Sequence, residues 1–153
     1  MGEVVRQDGV TIPTEIVKQS EEKRQQHRTV RQTQVYRDMA NLKYLIAKYM
    51  GESPRRYAKY FDSMLLTASN AKQSLALGLI VSDVAQKHEN MTYAQVMIED
   101  IQDDALILNQ LGIISKEQKK GMRKLAQKVA GQIVRLRDYY KSQGININGS
   151  VTK

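Results

Sequence analysis

Apolar positions recur along this chain at helical rather than strand-like intervals. Val35, Met39, Leu42, Ile46 and Tyr49 step by 4, 3, 4 and 3 residues, one stripe of a helix that Gly51 brings to an end. Ser53 followed by Pro54 predicts an N-cap with proline in the first helical turn, where its missing N–H does no harm. The next stripe runs through Phe61, Met64/Leu65, Ala68, Ala71/Lys72, Leu75 and Leu79 and is expected to end around Gln86–Asn90. Its small central residues let a neighbouring helix come close. Thr92-Tyr93-Ala94-Gln95 fits a capping box and opens a third stripe, Ala94, Ile98, Ile101, Ala105 and Leu108, which Gly112 closes. Ser115-Lys116-Glu117-Gln118 repeats the box ahead of Met122, Leu125, Val129, Ile133, Leu136 and Tyr140.

These patterns predict an all-α fold with helices near 30–50, 54–87, 93–111 and 116–142. Short connections force neighbours to run antiparallel, which gives an up-down-up-down four-helix bundle. Residues 1–29 read as a polar N-terminal extension, 30–142 as the bundle and 143–153 as a flexible tail. From the extension into the start of the bundle, residues 18–34 hold a single apolar side chain, Val30, and suit a solvated helix or an arm that orders on binding.

Composition narrows the chemistry. A chain of 153 residues, 41% hydrophobic, supports one core, and with no cysteine a disulfide framework and thiolate chemistry are excluded. The first residues lack a basic stretch followed by an apolar one, and no run of about 18 apolar residues occurs, so a cytoplasmic protein without a membrane span is expected. Neither His27 nor His88 has the Glu-x-x-His context of a di-iron bundle, and both read as surface histidines. Asp100 and Asp104 share a helix face and could hold a divalent cation, but the stripe through Ile98, Ile101 and Ala105 points most of these acids toward solvent. No phosphate loop, nucleophile elbow or Ser/His/Asp set appears. An enzyme is not expected, nor is a cofactor or metal.

Charge supplies the strongest signal. Twenty-four Lys+Arg against sixteen Asp+Glu leave a formal charge of +8, which favours an anionic partner. Residues 92–114 contain no Lys or Arg, whereas 115–141 contain nine, so helix three is acidic and helix four basic. In an up-down bundle helices two and four begin at the same end. Arg55, Arg56 and Lys59 then converge with Lys116, Lys119, Lys120, Arg123 and Lys124, beside two helix N-termini and Tyr49, Tyr57 and Tyr60. Lys128, Arg135 and Arg137 continue the basic face. Such a footprint suits a binder of nucleic-acid phosphate backbone. The acids Glu99, Asp100, Asp103 and Asp104 are expected to form an oligomer interface with the basic helix of an adjacent copy. The stretch from Asn109 to Leu125 has two helices flanking a glycine-containing turn, as a helix-turn-helix does, but Leu108 stands where such motifs carry a small residue, so it reads as an ordinary helical corner.

The run SPRRYAKYFDSML (53–65), the acidic helix ending in LGIISKEQ (111–118) and the segment AGQIVRL (130–136) resemble the Avd-like four-helix-bundle proteins. These are the accessory variability determinants of diversity-generating retroelements, related to the intervening-sequence ribosomal-RNA bundle family. The resemblance covers residues 30–142 and rests on Arg55 and Arg56 after Pro54 and on Lys119, Lys120, Arg123 and Lys124 in helix four. It implies a non-enzymatic protein that binds a reverse transcriptase and template RNA or DNA in mutagenic retrohoming, and that forms a pentameric ring. The extension before residue 30 departs from the short form of the family. The alternative is a structural scaffold bundle whose basic face serves protein–protein assembly.

Overall fold

The computed structural model describes residues 4–7, 10–13, 30 and 33–143. Four helices pack against one another as an all-α bundle: α1 (Gln34–Glu52), α2 (Ala58–Ile80), α3 (Val84–Gln110) and α4 (Lys116–Ser142). Each sequence neighbour packs on the next, and α1 closes the bundle against α4. The expected arm over 18–29 and the tail from 144 lie outside the described residues.

Two strands, β1 (Val4–Gln7) and β2 (Val10–Pro13), pair antiparallel with Val4 opposite Pro13 and Gln7 opposite Val10. This hairpin is absent from the polar-extension reading. The sequence carries its signal nonetheless, since Asp8-Gly9 between two valine-containing runs is a strong hairpin dipeptide.

Three expected helix borders are corrected. Proline forces the residue before it into extended backbone, so Ser53 (ψ 155°) ends α1 instead of capping α2, and its hydroxyl donates to the Tyr49 carbonyl. A 3-10 turn, Arg55–Tyr57, follows Pro54, and α2 opens only at Ala58. The break between α2 and α3 falls at Val81–Asp83 rather than near residue 90. Asp83 is the cap, its carboxylate accepting from the Ala85 N–H at 3.1 Å, while Thr92 sits inside α3 and donates back to the His88 carbonyl. A capping-box sequence in mid-helix is therefore a coincidence of spacing here.

The other expected box is present. Ser115 Oγ accepts from the Gln118 N–H and Gln118 Oε1 accepts from the Ser115 N–H, starting α4 where the pattern placed it. Before it, Gly112 (φ 74°) reverses the chain, with Ile113 N–H donating to the Leu108 carbonyl and Gly112 N–H to that of Asn109. That pair of bonds is a Schellman close, which requires left-handed backbone and hence glycine.

The core follows the four stripes. Met39, Leu42 and Ile46 from α1 meet Phe61, Met64 and Leu75 from α2, Met91, Ile98 and Ile101 from α3, and Met122, Val129 and Ile133 from α4. Ala68, Ala71, Ala94, Ala105 and Ala126 keep the helices close. Leu79, Leu125 and Leu136 are half-buried at the margins, not central as their stripes suggested. Gly78 replaces a side chain where α2 meets α3: a Cβ there would stand 2.8 Å from Met91 Cε and 3.1 Å from Asn90 Cβ. No helix among the described residues is long and apolar enough to cross a membrane.

Candidate nucleic-acid interface

At one end of the bundle lie the close of α1, the 3-10 turn and the starts of α2 and α4, with α1 packed on α4 and the turn on α2. Gln118 Nε2 donates to Glu52 Oε2 at 3.3 Å, bridging α4 to α1. Tyr49 adds a second contact, its hydroxyl lying 3.0 Å from the position a Cβ would take on Gly121.

The residues of the turn are arranged around aromatic rings. The Arg56 guanidinium lies 4.7 Å from the Tyr57 ring centroid and also donates to its hydroxyl at 3.3 Å. Lys59 Nζ lies 5.3 Å from the ring of Tyr60, and the two tyrosine rings are 6.3 Å apart. Arg55, Arg56, Lys59 and Tyr60 are all exposed. A cation within about 6 Å of a tyrosine face is attracted by the ring quadrupole, which holds the side chain and the ring together.

On α4, Lys119, Lys120, Arg123 and Lys124 line, with Gln127, a depression of about 310 Å³. Lys120 and Lys124 are exposed, Lys119 and Arg123 half-buried. Arg123 Nε is buried and has no acceptor among the described residues, so this guanidinium is only partly satisfied by the fold. Among the described residues the sole ion pair is Lys128–Asp38 at 3.5 Å, so none of the cations at this end is neutralised by a carboxylate. Their positive field favours anions. The N-terminal amides add to it only in part, because the Ser115 capping box already occupies one of those of α4.

Not every residue singled out from the sequence joins this group. Arg55, Arg56, Lys59, Lys116, Lys119, Lys120, Arg123 and Lys124 share one end. Lys128 lies midway along α4 and is paired with Asp38. Arg135 lines a second depression, of about 450 Å³, at the opposite end with Thr33 of the α1 N-terminus and Leu79 near the α2 C-terminus. Arg137 turns toward α3 and donates to Gln95. Arg135 and Arg137 are thus five to six turns of helix away from Lys116, about 28–32 Å.

The acids of α3 also divide. Glu99, Asp100 and Asp103 are exposed, whereas Asp104 is half-buried, and burial, then the charges of Asp100 and Asp103, push its carboxyl above the ordinary aspartate range. Among the described residues no group of three metal-ligating side chains occurs. His88, expected at the surface, is half-buried; burial, then the cations Arg137 and Lys141, hold it below the ordinary histidine range.

Sequence reasoning missed two polar groups that the fold uses. Asp38 is buried on the core side of α1 and accepts from Gln34, Gln132 and Lys128. Lys87 donates to the carbonyls of Gly78 and Leu79, both at 3.1 Å, and so closes the last turn of α2 from the neighbouring helix. Asp38 was findable, since it falls next to Met39 on the first stripe; Lys87 was hidden by the misplaced border between α2 and α3.

Comparison with family models, with curated proteins and with solved structures finds no match to this chain.

Proposed function

We propose that this chain is a non-enzymatic, cytoplasmic accessory protein that binds RNA or DNA through the cationic end of its bundle. The observation that carries the reading is that eight cations from two separate segments share one end of the bundle without a carboxylate partner among the described residues, Arg56 and Lys59 standing over Tyr57 and Tyr60. Tyr60, exposed and flanked by cations, suits stacking on unpaired bases, and lysines on a helix suit phosphates. The resemblance of residues 53–65, 111–118 and 130–136 to Avd-like proteins supports a reverse transcriptase as the complex served, in mutagenic retrohoming. Fluorescence anisotropy with labelled single-stranded RNA and DNA tests the reading against a variant carrying Gln at 119, 120, 123 and 124. Unchanged affinity and salt dependence in that folded variant would end it.

A second reading, a scaffold bundle, is favoured by the segregation of charge between α3 and α4. In it the acidic face of one copy meets the basic face of the next, a heterologous contact that closes into a ring, pentameric in the Avd-like case. Light scattering at tens of micromolar tests the ring, which both readings allow, and the anisotropy measurement separates them: an oligomer that binds neither RNA nor DNA leaves the scaffold.

A further inference from the structure

The buried stripe of α3 runs through Met91, Ala94, Ile98, Ile101, Ala105 and Leu108. A second line, offset by two residues and hence about 200° around the helix, faces solvent: Tyr93, Val96, Asp100, Asp103 and Ile107, with Leu111 at the C-cap. Its steps of 3, 4, 3, 4 and 4 are those of a helix–helix seam, about 27 Å long. Tyr93, Val96, Ile107 and Leu111 are each half or more exposed. A solvated face has no need of large apolar side chains at that spacing.

We propose that this outward face of α3 is a docking seam for an amphipathic helix of a partner protein, apolar at both ends and basic in the middle. The order of residues along the seam selects that occupant. An apolar pair, Tyr93 and Val96, and a second one, Ile107 and Leu111, flank an acidic centre of Asp100 and Asp103, beside Glu99. Pairing α3 with the α3 of another copy would match the apolar ends but set the acids of both copies face to face, which like-charge repulsion opposes. The α4 of another copy supplies Lys120 and Lys124, yet its exposed apolar side chains, Val134 and Tyr139, both lie toward its C-terminal end. It covers one apolar pair and leaves the other in water. A separate helix with Lys or Arg opposite Asp100 and Asp103 satisfies all three segments, in the helix-on-groove manner. The seam lies on α3, apart from the cationic end, and does not rest on nucleic-acid binding.

The test uses the full chain and two labelled peptides of about three heptads, with Leu at the outer seam positions and either Lys or Glu at the central pair. By anisotropy the Lys-centred peptide binds about tenfold or more tighter than the Glu-centred one, and the double variant Asp100→Lys/Asp103→Lys inverts that preference. Val96→Glu/Ile107→Glu, at exposed positions and with helicity checked by circular dichroism, loses the peptide. Equal binding of the two peptides, or binding of neither, overturns the proposal. So does an oligomer of the unmodified chain, seen by light scattering, that Val96→Glu/Ile107→Glu disperses, because a second copy is then the occupant.

Discussion

Gln132 donates from Nε2 to Oδ2 of Asp38 at 2.8 Å, joining α4 to α1 across 94 residues of chain. The same carboxylate accepts from Gln34 at 3.0 and 3.1 Å and faces Lys128 Nζ at 3.5 Å. A buried acid at the junction of two helices fixes their register, because no other alignment supplies as many donors. It also closes the bundle where the first and last helices meet, the contact with the longest loop to order.

Replacing Asp38 by Ala leaves the Gln132 amide buried without its acceptor, and should lower stability by about 1–3 kcal/mol in urea unfolding. Burial opposes ionisation of Asp38, but the donors Gln34 and Gln132 and the charge of Lys128 outweigh it and hold the carboxyl below the ordinary aspartate value. A depressed acid contributes stability that is present above its unfolded value and is lost as pH falls through its folded one. The unmodified chain should therefore lose stability on acidification below about pH 4, with a smaller acid-side slope in Asp38→Asn.

Lys87 closes α2 from outside that helix, with its ammonium also 5.5 Å from the Tyr140 ring. Burial pushes the lysine below its ordinary range, yet both carbonyls it meets lie in the last turn of α2, where negative partial charge gathers. Lys87→Met keeps the aliphatic stem and removes the donors. A loss of about 1–2 kcal/mol is expected, with faster hydrogen exchange at the end of α2 and little change elsewhere.

Two glycines should respond in opposite senses to alanine. At Gly78 the added Cβ meets Met91 and Asn90, and the methionine tip can swing away while the Asn90 Cβ cannot. Gly78→Ala should destabilise by about 1–3 kcal/mol. Gly51 lies in the last turn of α1 with nothing within 4 Å of a Cβ, so Gly51→Ala should stabilise by about 0.5–1 kcal/mol. Thermal melts of the two variants, displaced on opposite sides of the parent, check the pair.

The bundle was legible because its buried residues obey a simple spacing: Ile98, Ile101 and Ala105 had nowhere else to go. Helix ends were less so. Thr92 to Gln95 satisfies every local requirement of a cap, and only the continuation of the stripe back to Met91 argues that the helix has already begun. At Ser53 the steric demand of Pro54 on its predecessor outweighed the capping preference of serine. That the starts of α2 and α4 share one end follows from topology alone, since successive helices run antiparallel. The direction in which individual cations turn does not: Lys128 and Arg137 stand on the basic helix but are engaged by Asp38 and Gln95, partners from other helices.

That division sets the proposed binding surface apart from the cations the fold itself engages. Phosphate contacts release counterions, so each one removed lowers the logarithmic salt slope by about 0.7–0.9. Arg55→Gln/Arg56→Gln and Lys120→Gln/Lys124→Gln each remove two exposed cations from the proposed end, and each should flatten the slope by about 1.4–1.8 and weaken binding at low salt. Arg135→Gln, at the far end of α4, should leave slope and affinity within error. Tyr60→Leu separates stacking from charge, because it removes a ring platform while every cation stays; it should weaken single-stranded ligands by about 1–3 kcal/mol without altering the slope. Since exposed charges add little to stability, all of these variants should melt within about 2–4 °C of the parent. Equal sensitivity to Arg135→Gln and to the double variants would mean that the chain attracts nucleic acid by its net charge alone, with no surface set aside for it.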